Sequence, residues 1–217
     1  MSAQPTAAPG LAPIPLPRPD GARGGDLAVA FERRETIRTF DDRKLPPPVL
    51  SGLLWSAWGI NRAAGPFGLP GRTAASASNS QEIDLYVLLE EGAYLYEPSE
   101  HRLLPVAAGD RRVDAMNPGQ RGLGSRAPVQ LIYVVDLDRL THTKGFAEPG
   151  LRDPEVQKAY YYVDTGLIAG NVYLFAAAHG LAAWFHNCDK PHLAQDLGLG
   201  ARQRALFAQS VGYPARS

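Results

Sequence analysis

Between residues 153 and 180 the apolar positions fall at helical spacing and leave almost no polar side. Val163, Leu167, Ile168, Val172, Phe175 and Ala178 recur at that spacing, while Ala169, Leu174 and Ala177 fill much of the opposite face. Asp153 and Pro154 suit the N-cap and first turn, and Gly180 suits the stop. A helix apolar nearly all round is buried nearly all round. Gly166 and Gly170, one turn apart, would let another backbone approach closely. At roughly 25 residues this helix is about twice the usual length, and a chain of 217 residues has few helices to cover it. The simplest supplier of the missing cover is a second copy of the chain.

Elsewhere the pattern alternates. Ile83, Leu85, Val87 and Leu89 predict a strand, and Glu90-Glu91-Gly92 turns it into a second over 93–97. A third strand is expected over 101–106. Residues 129–137, VQLIYVVDL, are near-continuously apolar and predict a central strand. A short strand over 181–185 runs into His186-Asn187-Cys188-Asp189, and Asp189 with Pro191 starts a helix. Residues 201–209 read as a further helix, with a final strand over 210–213. Nearer the start, helices are expected over 26–35, capped by Asp26, and over 49–60, opened by Pro46-Pro47-Pro48. Residues 36–40 between them read as extended, and 61–71 as a turn-rich loop. The small and hydroxyl residues of 74–79 suit a loop whose backbone approaches a ligand or another chain.

Composition narrows the picture. Residues 1–25 carry Pro5, Pro9, Pro13, Pro15, Pro17 and Pro19, and read as a flexible or extended arm ahead of one domain over 26–217. Removing the arm is expected to leave the fold largely intact, although Leu11, Ile14 and Leu16 would also let it grip a partner subunit. Lys plus Arg equals Asp plus Glu at 22 each, so nothing points to nucleic acid or a membrane surface. The one cysteine, Cys188, excludes an intramolecular disulfide and suits a reducing cytoplasm. No apolar run reaches the length of a membrane span, and no signal-peptide pattern opens the chain.

Arg33, Arg34 and Arg38 beside Thr36 read either as a solvated helix end or as a phosphate site. His186, Cys188 and His192 lie close in sequence, but no further ligands follow at zinc-like spacing, and no metal is expected. Gly119, Gly122 and Gly124 neither follow a strand nor open a helix, so a nucleotide loop carries little weight there. The polar loop over 141–151, with His142 and Lys144, would be a natural lid if it lay beside a site.

Four stretches together resemble the FMN-dependent nitroreductase family. They are Arg34-Glu35-Thr36-Ile37-Arg38-Thr39-Phe40, Ser76-Ala77-Ser78-Asn79-Ser80-Gln81, the helix from Asp164 to Gly180, and Leu206 to Pro214 with its Val211-Gly212-Tyr213-Pro214. They come in the family's order and at about its spacing. Residues 50–89 look closer to the subgroup near the thiazole- and oxazole-forming peptide oxidases. The resemblance implies an α+β fold, a central mixed or antiparallel sheet wrapped by helices, in an intertwined homodimer with two interfacial FMN sites. In such a site Arg34 and Thr36 would meet the phosphate and ribityl chain, and Arg38 the pyrimidine end of the flavin. Ser76, Ala77 and Asn79 would come from the partner's loop. The turn at His186 and Asn187 would lie against the flavin through backbone N–H, and Arg216 would add a phosphate contact. Glu35 departs from the pattern, standing where the family usually has Arg or His. The implied activity is NAD(P)H-driven reduction of nitroaromatic or quinone-like small molecules by ping-pong hydride transfer. Its alternatives are a flavin oxidase or dehydrogenase of an azoline-like substrate, and a flavin-binding dimer without turnover. The cofactor carries the hydride chemistry, so no catalytic side chain is assigned.

Overall fold

The apolar run at Val129–Asp136 is buried at every position, as expected of a strand covered on both faces. The structure, a computed structural model, describes residues 10–17, 27–121, 127–144 and 152–215. In chain order the strands begin with β1 (Ile14–Pro15), β2 (Ile60–Arg62), β3 (Gly71–Arg72) and β4 (Ile83–Leu88). They continue with β5 (Gly92–Glu97), β6 (Arg102–Ala108), β7 (Val129–Asp136), β8 (Ala182–His186) and β9 (Gln203–Gly212). The helices are α1 (Leu27–Arg33), α2 (Pro47–Trp58), α3 (Leu137–Thr141), α4 (Pro154–Ala178) and α5 (Lys190–Asp196). Seven strands form one sheet in the order β1-β6-β5-β4-β7-β9-β8, with every neighbouring pair antiparallel. The fold is α+β, as expected.

Strand alternation sorts the core into two layers. Leu85, Val87, Leu131, Tyr133 and Val135 pack with Leu53 and Leu54 of α2 and Ile168 and Val172 of α4. Tyr86, Leu88, Ile132 and Val134 pack on the other side with Leu193 of α5 and Leu197. Helices α1 and α2 lie against α4. Helix α4 begins as its sequence directs: the Asp153 carboxylate accepts from Glu155 N–H at 2.9 Å. It ends at Gly180, whose φ of +64° is open to glycine without steric penalty.

The burial of α4 differs from the expectation. Ile168, Ala169, Val172, Ala176 and Ala177 are buried, but Val163 is 60% exposed and Leu167 45%. A side chain added at Gly166 or Gly170 would meet nothing within 4 Å. One chain therefore covers one side of the helix and leaves an apolar side open.

Three local expectations are corrected. Residues 203–212 form strand β9 rather than a helix over 201–209. Ala, Leu, Arg and Gln favour a helix in isolation, but this segment is paired on both edges, with β7 and β8, and tertiary pairing overrides propensity. The segment 61–71 is not loop throughout: its two ends belong to the small β2–β3 ribbon, in which Ile60 pairs with Arg72 and Arg62 with Gly71. Strand β7 runs directly into α3, because the Asp136 carboxylate accepts from Asp138 and Arg139 N–H. The proposed Asp26 cap lies outside the described residues.

Part of the N-terminal arm is built into the sheet. Ile14 and Pro15 pair with Leu103 and Arg102 on the edge of β6. Leu16 is buried in the main core, and its N–H donates to His101 O at 3.0 Å. Ser51 Oγ donates to the Pro17 carbonyl, and His101 links Ser51 at 2.8 Å to Tyr96 at 2.9 Å. The segment thus covers an edge strand that would otherwise present unpaired groups to solvent. Deleting residues 1–17 should therefore destabilise the fold, against the expectation drawn from composition. Loss of the Leu16 side chain alone is worth about 2 kcal/mol, so calorimetry should show a fall in Tm of about 4–8 °C. An unchanged Tm would mean that the edge pairing contributes nothing.

Candidate functional site

The basic segment after α1 is extended and lies along the outer edge of β8, where Ile37 N–H donates to Ala183 O at 3.1 Å. Further on, Asp41 N–H donates to Tyr213 O at 2.9 Å, and Ala215 N–H to Thr39 O at 3.1 Å. The C-terminal segment is thereby tied to the same edge. Arg216 itself lies outside the described residues.

Two aromatic rings set the arginines. The Arg34 guanidinium carbon is 5.8 Å from the Tyr173 ring centre, and that of Arg38 is 5.6 Å from the Trp184 ring centre. The Tyr173 hydroxyl accepts from Phe185 N–H at 2.9 Å and is 3.2 Å from Thr36 Oγ1. It joins α4, β8 and the basic segment at one atom. Arg34, Glu35 and Arg38 are exposed, and neither arginine has a carboxylate partner among the described residues. Two cations and a hydroxyl therefore line one open strand edge.

His186 and Asn187 stand at the end of that strand. The His186 ring is buried and faces inward: Nδ1 lies 2.7 Å from Asn187 O and Nε2 3.0 Å from Ser210 Oγ, which is 2.8 Å from the Gln130 side chain. Burial holds this histidine below its ordinary pKa, so it is neutral. A neutral ring then donates from Nδ1 to Asn187 O, while the Ser210 hydroxyl beside Nε2 donates to the Gln130 side-chain oxygen. The ring shapes the turn, leaving the exposed Asn187 and the backbone as the part that can face a ligand.

The other expected site residues lie elsewhere in the chain. Ala77 N–H donates to Asp164 Oδ2 at 2.9 Å. The Asn79 side chain donates to the carbonyls of Pro66 at 3.0 Å and Pro70 at 3.3 Å, and accepts from Gln81 at 3.0 Å. Ser76 Oγ accepts from Gln81 N–H at 3.1 Å. Ser78, Asn79 and Gln81 all have positive φ, at +49°, +53° and +52°, a strained backbone that persists only when its surroundings fix it. Asp164 and Tyr173 are nine residues apart on α4, about 13 Å of rise and half a revolution. The loop and the basic segment therefore meet opposite sides of the helix and are not brought together within one chain.

Sequence reasoning found the arginines and the loop but missed Tyr173, Trp184, Asp164 and Glu82. The available signals were a tyrosine hydroxyl and a carboxylate on an otherwise apolar helix, each of which needs a partner when buried. His186, Cys188 and His192 do not converge: Cys188 is buried, with its thiol pushed up to about 11 chiefly by burial, and His192 is 2.9 Å from Asp189. No group of three or more metal-ligating side chains occurs among the described residues. No helix among them is long and apolar enough to cross a membrane.

The model of the nitroreductase family matches residues 31–213, and the chain belongs to that family, a family of oxidoreductases whose members typically bind flavin. A solved structure from Ralstonia eutropha JMP134, carrying a provisional nitroreductase name, is 31% identical with a TM-score of 0.83, covering 100% of this chain and 97% of that one. The protein MJ1384 of Methanocaldococcus jannaschii, also provisionally named a nitroreductase, is 27% identical over 158 residues, 69% of this chain and 72% of its own length. The fold also matches a chain of the E. coli microcin synthetase McbBCD complex, at a TM-score of 0.68 and 18% identity over 99% of this chain and 79% of that one.

Replacing Tyr173 by Phe should loosen the basic segment. It removes the contact with Thr36 and strands the Phe185 N–H, an effect of about 1–3 kcal/mol. Thermal unfolding should register a Tm lower by several degrees, on the order of 2–4 °C per kcal/mol. A Tm equal to the parent's would show that the hydroxyl is not the joint described.

Proposed function

We propose that this chain is an FMN-dependent oxidoreductase, working as a homodimer, that takes hydride from NAD(P)H and passes it by a ping-pong route to a nitroaromatic or quinone-like small molecule. The observation that carries this reading is the pair of arginines without carboxylate partners among the described residues, flanking the Thr36 hydroxyl, on a chain of the nitroreductase family. A dianionic phosphate calls for cations and hydrogen-bond donors, and that donor set fits it. Arg34 and Thr36 would hold the phosphate and ribityl chain, while Glu35, exposed, offers its backbone N–H and turns its carboxylate to solvent. Arg38 would place a fixed cation at the pyrimidine end, stabilising the negative charge that builds there on reduction. His186 and Asn187 would present backbone to the flavin, and Arg216 would add a phosphate contact from the C-terminal segment. From the partner subunit's loop, Ser76 would contribute its hydroxyl, with Ala77 and Asn79 shaping the loop around it. Bound FMN supplies the hydride transfer itself.

The dimer is supported by the open side of α4, where Tyr162, Val163 and Leu167 are exposed, with Leu27 and Phe31 of α1 exposed as well. A patch of this kind on a single chain is readily covered by a second copy across a twofold axis. The arm and the domain over 26–217 would belong to each protomer, and a cytoplasmic location accords with one buried, unpaired cysteine.

An absorbance spectrum of the purified protein, taken before and after NAD(P)H without oxygen, tests the reading. Flavin bands that bleach are expected. Flavin that does not bleach would favour the azoline-oxidase or non-catalytic alternatives, and no bound flavin would overturn the reading. Arg34→Ala should release FMN on dialysis: a charge-assisted contact of about 1.5–3 kcal/mol corresponds to roughly 10- to 100-fold weaker binding. Arg38→Ala should instead keep most of its FMN while its midpoint potential falls and its reduction slows. Both variants behaving like the parent would return these arginines to a solvated helix end.

A further inference from the structure

Two carboxyl groups that the flavin reading does not use lie buried against the loop over 76–81. Glu82 is 0% exposed and Asp164 3%. Asp164 Oδ2 accepts from Ala77 N–H at 2.9 Å, and Glu82 Oε2 accepts from Ser80 Oγ at 2.5 Å. Glu82 Oε1 is buried with no hydrogen-bond partner among the described residues, and the Glu82 carboxyl lies close enough to that of Asp164 to act on its ionisation. Two ionised carboxylates offer acceptors only, so this contact closes only when one of them holds a proton.

Among the described residues no neighbouring cation takes the proton's place. Arg139 of α3 senses Glu82 and reaches its main-chain carbonyl at 3.3 Å, but its guanidinium is held by Asp84 of β4 at 2.7 Å and Asp136 of β7 at 3.3 Å. Arg72 of β3 donates to the Gln81 side chain at 2.7 Å and to Trp58 O at 3.1 Å. Lys158 of α4 and Arg204 of β9 act on Tyr161, one turn before Asp164.

We propose that Glu82 and Asp164 form one acid pair holding a single proton, and that this proton fastens the loop over 76–81 to α4 in the shape the cofactor site requires. The last clause rests on the flavin reading above. Both are positioning residues, since each acts on the cofactor through the loop. The proton lies between the two carboxyls while Asp164 also keeps Ala77 N–H and Glu82 keeps the Ser80 hydroxyl. Its loss to solvent sets two buried negative charges in contact and loosens both anchors of a strained loop.

The pH dependence follows from the direction of the shift. Burial first, and the Glu82 charge second, push the Asp164 carboxyl from 3.8 up to about 8. Between those values the closed loop binds a proton that the unfolded chain does not. The stabilisation is fully present at low pH and is lost as pH rises through about 8.

Asp164→Asn separates the proton from the geometry, because an amide can accept from Ala77 and donate to Glu82 without titrating. The melting temperature of flavin-free protein and the FMN dissociation constant are to be measured between about pH 6 and about pH 9 for the parent, Asp164→Asn and Asp164→Ala. Across that range the parent should lose Tm relative to Asp164→Asn, and its dissociation constant should rise about tenfold or more, while that of Asp164→Asn stays within about twofold. Asp164→Ala should bind weakly throughout. If Asp164→Asn fails to fold, Glu82→Gln serves the same purpose and should give the same flat profile. A parent profile as flat as the amide variant's, or an amide variant that follows the parent, overturns the pair. Absence of FMN binding by every protein at every pH would instead defeat the flavin reading, and the flavin-free melting curves would then decide the pair alone.

Discussion

Helix α4 sets the geometry on which the rest of the site depends. Its length and straight rise carry Tyr173 and Asp164 at fixed positions on opposite sides, about 13 Å apart along the axis. Tyr173 joins the basic segment to β8, and Asp164 holds the loop over 76–81. No side-chain rotation brings those two places together within one chain. The open apolar side between them is where a second α4 could lie, with Gly166 and Gly170 permitting close approach. On the proposed reading, the same exposed surface that makes one chain incomplete would also complete its cofactor site.

The loop illustrates how a strained conformation is held. Three residues with positive φ in a stretch of four are unfavourable by on the order of 1–2 kcal/mol each, and none of them is a glycine. Asp164 and Glu82 anchor one side, Arg72 and the carbonyls of Pro66 and Pro70 the other. All of these anchors but the exposed Pro66 carbonyl are polar groups at least partly removed from water, where an unmade hydrogen bond is more costly than at the surface. The loop is therefore specified by what surrounds it more than by its own small side chains.

That distinction also explains how much could be read from the chain itself. Strands β4, β5 and β7 and helix α4 were legible because their periodicity reflects burial, which one sequence records. Strand β9 was not, because Ala205 to Gln209 carry helix-favouring residues and are strand only through pairing with β7 and β8. At the site, Arg34, Thr36 and Arg38 were visible as a cluster because they are adjacent in sequence. Tyr173 and Trp184, which set those arginines, belong to other elements, and Glu82 stands in the sequence as a single acid just before a strand. Proximity created by the fold leaves little local trace. The arm misled for a related reason: prolines predict extended chain, and Ile14 and Pro15 are extended, but as a strand on β6.

The central claim is that the two halves of the cofactor cradle come from different copies of the chain, and a mixing experiment tests it most directly. Arg34→Ala damages the basic segment and Asp164→Ala damages the loop, so each pure variant should bind FMN poorly. When the two are unfolded together and refolded, half of the dimers should be hybrids, each with one doubly damaged and one intact site. The account predicts recovery of tight FMN binding at about a quarter of all sites, as expected of random pairing across a twofold axis. Mixed protein that binds no better than the separate variants would contradict it, and would mean that both halves belong to the same chain.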